Sequence, residues 1–235
     1  MDLERINARL ETAHPQEILA WAWNNFAPEL AATSSFQTQS VPLLHMIASV
    51  TPGLTVLFLD TGFHFPETLA FRDRLVREFG LHVRVLAPEM SHDGFRHQHG
   101  DLYRQNPDLC CYINKVEPLA RAKRELRAWI SGIRRDQTAT RQATPVVARE
   151  PGGTVKICPL AGWTRREVWQ YLHEHGLPEH PLLAQGYLSV GCAPCTRPVD
   201  ADDDERAGRW TGHDKLECGL HLPLAAELPG KPAPE

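Results

Sequence analysis

Cys110 and Cys111 stand in tandem, Cys192 and Cys195 form a C-x-x-C pair, and Cys218 sits alone inside Glu217-Cys218-Gly219-Leu220-His221. Two close pairs of thiolates are the ligand set of a metal centre or an iron–sulfur cluster. The fifth thiol, between a carboxylate and a histidine near the chain end, is placed like a nucleophile. The two roles need opposite settings, because a ligand must be tied down whereas a nucleophile must be reached. Adjacent cysteines fit structural zinc less comfortably than two C-x-x-C knuckles would, so the spacing favours iron–sulfur over zinc. A buried structural thiol is the plain alternative for Cys218. Gly219 beside it, with Lys215 and His221 nearby to favour a thiolate, points instead to reactivity. Cys158, in Ile157-Cys158-Pro159, reads as a buried and inert thiol.

Oxyanions have their own candidate partners. Arg134, Arg135 and Arg141 follow an expected strand, and Arg197, Arg206 and Arg209 flank or follow the C-x-x-C pair. Guanidinium forks match sulfate and phosphate oxygens and stay charged at any relevant pH. A solvated charged surface is the simpler account, given the acidic run Asp202-Asp203-Asp204-Glu205. The segment from Ser34 to Ser40 offers hydroxyls, amides and backbone N–H groups ahead of a helix, a natural seat for a phosphate-bearing ligand. Standing alone it is more simply a helix cap, and it lacks the glycines and lysine of a Walker loop. Asp60-Thr61-Gly62 ends another strand, where the aspartate could hold a ribose or cap the next helix.

The elements that must position these groups can be read from periodicity. The first 29 residues are helical in pattern, with Leu3, Ile6 and Leu10, then Ile18, Leu19 and Trp23 at helical spacing. Strands are expected at Leu30–Thr33, Leu54–Leu59, His82–Leu86 and Ala128–Ser131, and helices at Val41–Ser49, from Pro66, and around residues 115–126. Thr164 and Glu167 form a capping box for a helix over Thr164–His173. Strands alternating with helices give an α/β fold with a doubly wound, mostly parallel sheet. Ligands of such sheets sit beyond the strands' carboxyl ends, where the loops after Thr33, Leu59 and Ile130 all lie. Past Pro178 the pattern becomes irregular, and Leu228–Glu235 reads as disordered.

At 235 residues the chain is most simply one α/β domain with a short tail. A net charge of -4 with 23% charged residues gives no global case for nucleic-acid or membrane binding. No apolar stretch reaches the ~18 residues of a membrane span, and the charged start Met1-Asp2-Leu3-Glu4-Arg5 lacks the apolar run of a secretory signal. The expected compartment is the reducing cytosol, where clustered cysteines bind metal or do redox work.

Several ordered segments together resemble the phosphosulfate reductases of sulfate assimilation, and within them the cluster-bearing adenylyl-sulfate (APS) reductases. They are Ser34-Ser35-Phe36, Leu59-Asp60-Thr61-Gly62 with Phe65-Pro66-Glu67-Thr68, Cys110-Cys111 with Lys115-Val116-Glu117-Pro118-Leu119, and Trp129 to Arg141. Pro159-Leu160-Ala161 with Trp163, Gly186-Tyr187, Gly191 to Pro198, Arg206 to Trp210 and the terminal Glu-Cys-Gly-Leu-His follow, so the resemblance runs from Ala32 to His221. It implies that Cys110, Cys111, Cys192 and Cys195 hold a four-iron, four-sulfur (4Fe-4S) cluster and that Cys218 is the nucleophile. Lys115, Arg141, Arg206 and Arg209 would surround the substrate's sulfate and phosphate, with His221 also binding substrate. Ser34, Ser35, Leu59 and Gly132 would line the nucleotide pocket, partly through backbone groups. The implied fold is an adenine-nucleotide α-hydrolase-like sheet. Residues 1–200 would form the nucleotide-binding domain with the cluster ligands, 201–222 a catalytic segment closing over the pocket, and 223–235 a disordered tail. The implied reaction reduces APS to sulfite and AMP through an S-sulfo Cys218, released by thioredoxin or a similar dithiol donor.

One departure bears on substrate choice. Cluster-bearing members often carry an acidic pair after the first loop, whereas this chain has Gln39-Ser40, closer to relatives that use 3′-phospho-APS (PAPS) and lack the cluster. APS is therefore expected as the preferred substrate, with PAPS turned over less efficiently. A PAPS reductase of the same family is the nearest alternative. An ATP-using adenylyltransferase or tRNA-thiolating enzyme would show a Ser-Gly-Gly-x-Asp-Ser type loop, which is missing. A zinc-stabilised binding module without activity is the alternative of another class, and assembly as a homo-oligomer stays open.

Overall fold

The computed structural model describes residues 2–200 and 202–221, and the tail expected over 223–235 lies outside the described residues. The opening helical stretch is two helices, α1 (Leu3–Leu10) and α2 (Pro15–Phe26). Pro15 divides them, since it can start a helix but cannot donate within one. β1 (Leu30–Thr33) leads through the polar loop to α3 (Val41–Val50), and β2 (Thr55–Leu59) leads to α4 (Pro66–Phe79). Gly80, at φ 64°, ends α4 in the left-handed conformation that a side chain disfavours, and β3 (His82–Leu86) follows.

Three short helices come next: α5 (His92–His99), α6 (Leu102–Gln105) and α7 (Pro107–Cys111). α7 passes through a single π turn, Tyr112–Val116, into α8 (Glu117–Lys123). β4 (Ala128–Ser131), β5 (Val147–Arg149), β6 (Val155–Ile157) and α9 (Arg165–Glu174) complete the elements. The α9 capping box is formed as expected: Glu167 N–H donates to Thr164 Oγ1 (3.3 Å), and Thr164 N–H donates to Glu167 Oε2 (2.7 Å). Among the described residues no helix is long and apolar enough to cross a membrane.

The sheet order is β3-β2-β1-β4-β6-β5, with every pairing parallel except β5 against β6. Successive strand residues face opposite sides. Ala32, Val56, Phe58 and Ile130 therefore join Leu19, Leu44, Ile47 and Val168 in the larger core. Ala31, Leu57 and Trp129 turn the other way, onto Leu119 and Ala122 of α8. A third cluster, Phe95, Leu102 and Cys110 with Phe63 and Tyr103 against it, packs the short helices. From β1 the chain proceeds outward to β2 and β3, then returns to β4 on β1's other side. That reversal opens a crevice between the carboxyl ends of β1 and β4, where Thr33 pairs with Ser131.

Candidate active site

Two adjoining cavities lie beyond those strand ends. The larger is an open cleft floored by Ser34, Ser35, Leu59 and Gly132. Lys115, Arg141, Arg206 and Arg209 line it as well, and Cys218 and His221 reach it from the C-terminal segment. Every residue expected in the substrate and nucleophile sets thus meets in one space. The loop after β1 is shaped by its own hydroxyls: Phe36 N–H donates to Ser34 Oγ (3.1 Å), and Ser35 Oγ lies 3.3 Å from Ser40 Oγ. Ser40 makes no side-chain cap to α3, so this loop opens on the cleft instead of only starting a helix.

The smaller cavity is ringed by Cys110, Cys111, Cys192 and Cys195. The tandem pair ends α7, whose start is capped by Asn106 Oδ1 accepting from Leu109 N–H (3.0 Å). Cys192 and Cys195 lie on a tight turn fastened to the loop after β2. There Ala193 N–H donates to Phe63 O (2.7 Å), and Thr61 Oγ1 lies 3.3 Å from Cys192 Sγ. All six cysteines are free thiols. Burial and the charges of the other three cysteines push the Cys110 thiol up to about 12, and burial with Cys192 and Cys111 pushes Cys195 to about 11. Burial also raises Cys111, whereas at Cys192 it is outweighed by the Lys115 charge and the Thr61 hydroxyl, leaving that thiol below its ordinary value. Thiolates crowded in this way repel, and a cationic metal centre relieves such repulsion. Among the described residues no three His, Cys, Asp or Glu side chains gather closely enough for a single ion. Four soft sulfurs around an enclosed cavity are instead a donor set suited to an iron–sulfur group.

Lys115 and Trp210 line both cavities. The π turn carries Lys115, and such turns recur where a helix must re-aim a functional residue. Burial opposes its charge, yet the sulfurs of Cys192, Cys111 and Cys218 outweigh burial and raise its pKa, so it stays an ammonium. Trp210 is buried at φ 47°, with the Arg209 guanidinium 4.6 Å and the Arg206 guanidinium 5.7 Å from its ring centre. Gly191 makes room for Arg209, because a Cβ there would lie 2.1 Å from Arg209 Nη2.

Three contacts near Cys218 help to hold the C-terminal segment. Lys215 pairs with Asp108 of α7. Glu217 takes two hydrogen bonds from Arg141, Nε to Oε1 at 2.7 Å and Nη2 to Oε2 at 2.6 Å. His221 stacks on Trp129, with ring centres 6.1 Å apart and planes at 7°. Burial, then the charges of Lys156 and Arg141, hold the His221 pKa well below the usual range, so the imidazole is neutral. Lys215 is committed to Asp108, and the neutral His221 carries no positive charge toward Cys218. The Cys218 sulfur adds to the field that favours the charged forms of Lys115 and Arg206.

Four buried polar atoms around the cleft have no hydrogen-bond partner: Arg206 Nε, Arg209 Nε, His64 Nδ1 and His221 Nδ1. The two guanidinium Nε–H groups are donors, whereas His64 Nδ1 is an acceptor, because its Nε2 donates to Leu59 O (2.8 Å). Other candidates turn elsewhere. Arg134 is buried and donates to Gln39 Oε1 (2.7 Å) and Asp136 Oδ1 (2.9 Å). Arg135 pairs with Glu11, and Arg197 Nε donates to Thr211 Oγ1 (2.7 Å). Asp60 Oδ1 accepts from Gly62 N–H (2.9 Å) and closes a turn without lining the cleft. Cys158 is buried, its thiol pushed up to about 11 chiefly by burial, in keeping with an inert role. Sequence reasoning gave no role to Trp210, His64, Thr61, Asp108 or Glu217. Glu217 was visible beside Cys218, but its partner lies 76 positions away.

Residues 29–198 match the family model described as "Phosphoadenosine phosphosulfate reductase domain". The chain is 50% identical over 198 residues to an adenosine 5′-phosphosulfate reductase of Mesorhizobium japonicum, covering 84% of this chain and 78% of that one. A phosphoadenosine 5′-phosphosulfate reductase of Gloeobacter violaceus is 45% identical over 224 residues, 93% of each chain. Among solved structures, a phosphoadenylyl-sulfate (PAPS) reductase from Candida auris in a phosphate complex superimposes with a TM-score of 0.73 at 33% identity, over 83% of this chain and 96% of that one.

Proposed function

The chain belongs to the phosphoadenosine phosphosulfate reductase domain family, and from that premise we propose that it is a thiol-dependent adenylyl-sulfate reductase, forming sulfite and AMP in sulfate assimilation. The observation that carries the reading is the meeting of Cys218 with Lys115, Arg206 and Arg209 in one cleft at the sheet's reversal point. The Cys218 thiolate attacks the sulfonyl sulfur of APS. A sulfur–sulfur bond forms, the bond from sulfur to the phosphate oxygen breaks, and AMP leaves with the electron pair. Lys115 and the unpaired Nε–H groups of Arg206 and Arg209 supply positive charge where three anions meet, and such preorganised charges often dominate catalysis. The loop after β1 and Gly132 seat the nucleotide. A dithiol protein of the thioredoxin type then attacks the S-sulfo Cys218 at Sγ, sulfite departs, and the partner's second thiol resolves the mixed disulfide. The two electrons come from those thiols.

Cys110, Cys111, Cys192 and Cys195 are the residues that would hold a 4Fe-4S cluster, a reading supported by their shared cavity and soft donor chemistry. When bound, such a cluster supplies a fixed charge centre beside Lys115 and a tie between α7 and the C-x-x-C turn. Iron and sulfide in the purified protein, with broad absorption near ~400 nm, separate it from zinc alone. PAPS is the second reading, supported by the absence of a carboxylate at Ser40 on the cleft wall.

The direct test is sulfite release with APS and PAPS side by side, thioredoxin as donor. Cys218→Ser is expected to abolish turnover while nucleotide binding persists. Mass spectrometry of the wild type with substrate and no reductant is expected to find a sulfonate adduct on Cys218. An adduct on Cys158 would overturn the assignment.

A further inference from the structure

Arg141 differs from the other cleft arginines in having each of its three guanidinium nitrogens engaged by a side chain. Arg206 and Arg209 each keep a buried Nε–H without a partner. Arg141 gives Nε and Nη2 to the two carboxylate oxygens of Glu217 and Nη1 to Gln137 Oε1. Glu217 also accepts from Thr138 Oγ1 (3.0 Å), and Arg206 Nη2 stands 3.7 Å from it while donating to Leu216 O (2.9 Å). The residue before Cys218 is therefore gripped on a planar fork, buried on both sides of the pair. The residue after it, Gly219 at φ 91°, gives the chain its turn toward Leu220 and His221. Burial opposes the Glu217 charge, but the Arg141 hydrogen bonds and charge prevail and hold its pKa below the usual carboxylate range.

We propose that Glu217 is a positioning residue: its two-point pair with Arg141 sets the Cys218 thiol in the cleft, and Arg141 serves as receptor for this carboxylate and not for the substrate's oxyanions. Those oxyanions fall to Lys115, Arg206 and Arg209. The inference rests on the reductase reading for the role of Cys218, but the pairing can be tested without any substrate.

Glu217→Gln keeps the side chain's size while placing an amide N–H₂ against one guanidinium N–H. Alkylation of Cys218 by iodoacetamide, read by peptide mass with no nucleotide present, is expected to change rate in this variant, with Glu217→Asp lying between it and the wild type. In single turnovers without reductant, adduct formation with APS is expected to slow roughly 10- to 100-fold, the scale of losing alignment at a reacting centre. In a Cys218→Ser background, the dissociation constant for APS is expected to move less than about threefold for either Glu217→Gln or Arg141→Lys, since a positioning loss falls on the chemical step and spares binding. The rate losses of the two changes should not multiply, because either one breaks the same pair. Wild-type alkylation and adduct rates in Glu217→Gln would overturn the proposal, as would APS affinity lost with Arg141→Lys but kept with Glu217→Gln. If the alkylation rate responds while no variant or wild type forms an adduct, the pairing stands and the reductase reading fails.

Discussion

At the level of single residues, charge placement explains more than charge number. Gln39 and Ser40 are neighbours in sequence, yet they face different surroundings. Both border the cleft, but Gln39 is buried with its Oε1 accepting from Arg134, whereas Ser40 is half-buried beside Ser35. A glutamate at position 39 would find a guanidinium already waiting and be neutralised by it. An aspartate at position 40 would project an uncompensated charge toward the nucleotide, and repulsion of this kind commonly sets specificity. Ser40→Asp is therefore expected to lower kcat/KM for PAPS more than for APS, by on the order of tenfold, about 1.4 kcal/mol in transition-state binding. Gln39→Glu alone should alter the ratio little, and the double change should match Ser40→Asp. Sulfite release with both nucleotides reads this out. An equal fall for both in Ser40→Asp would remove the 3′-phosphate from that corner of the cleft.

The elements divide into those with local causes and those without. β1, β2 and β4 are readable because buried strands are continuous apolar runs, β3 because its valines alternate with polar residues on a largely exposed edge strand, and α9 because its capping box lies within four residues. β5 and β6 were missed: each has three residues, too few for a period, and their pairing depends on the sheet edge offered by β4. α5 to α7 were missed because their order comes from Phe95, Leu102 and Cys110 packing under Phe63, a contact no local pattern announces. The gathering of Cys110, Cys111, Cys192 and Cys195 at one cavity was legible because close thiol pairs stand out by residue type and spacing. The Glu217–Arg141 pair was not, since any distant arginine satisfies a carboxylate equally well in sequence. Direct links from the C-x-x-C turn include Ala193 N–H to Phe63 O and Trp210 N–H to Cys195 O, which bind it to the loop after β2 and to the C-terminal segment. A cluster would add the tie to α7. Replacing Cys111 or Cys192 by Ser is thus expected to remove iron and lower the thermal midpoint together, as metal binding that joins distant segments contributes folding energy. Iron content unchanged in serine variants of all four cysteines would sink the ligand assignment.

For the molecule as a whole, the response to acid should be governed by groups the fold holds uncharged. His180 joins α4 to the turn at Pro181–Gln185: Nδ1 accepts from Leu182 N–H (3.2 Å), which leaves Nε2 to donate to Thr68 Oγ1 (3.0 Å). A second proton would have to take the Nδ1 lone pair and break the bond to Leu182. Burial lowers its pKa to about 4, with Glu67 opposing only weakly. The unfolded chain keeps an ordinary histidine, near ~6.5. Below that value the unfolded state takes up a proton that the folded state refuses, so stability falls as pH drops and levels only near the folded pKa. Between pH 7 and pH 5 this one group is expected to cost about 2 kcal/mol. Glu217, held below the usual carboxylate range, contributes stability that is lost only at lower pH, when its carboxylate is protonated. Urea unfolding of the wild type at the two pH values should show the loss. His180→Gln should be less stable at pH 7 but flatter with pH, because glutamine has no proton to gain. A variant with the same pH slope as the wild type would place the acid sensitivity elsewhere in the fold.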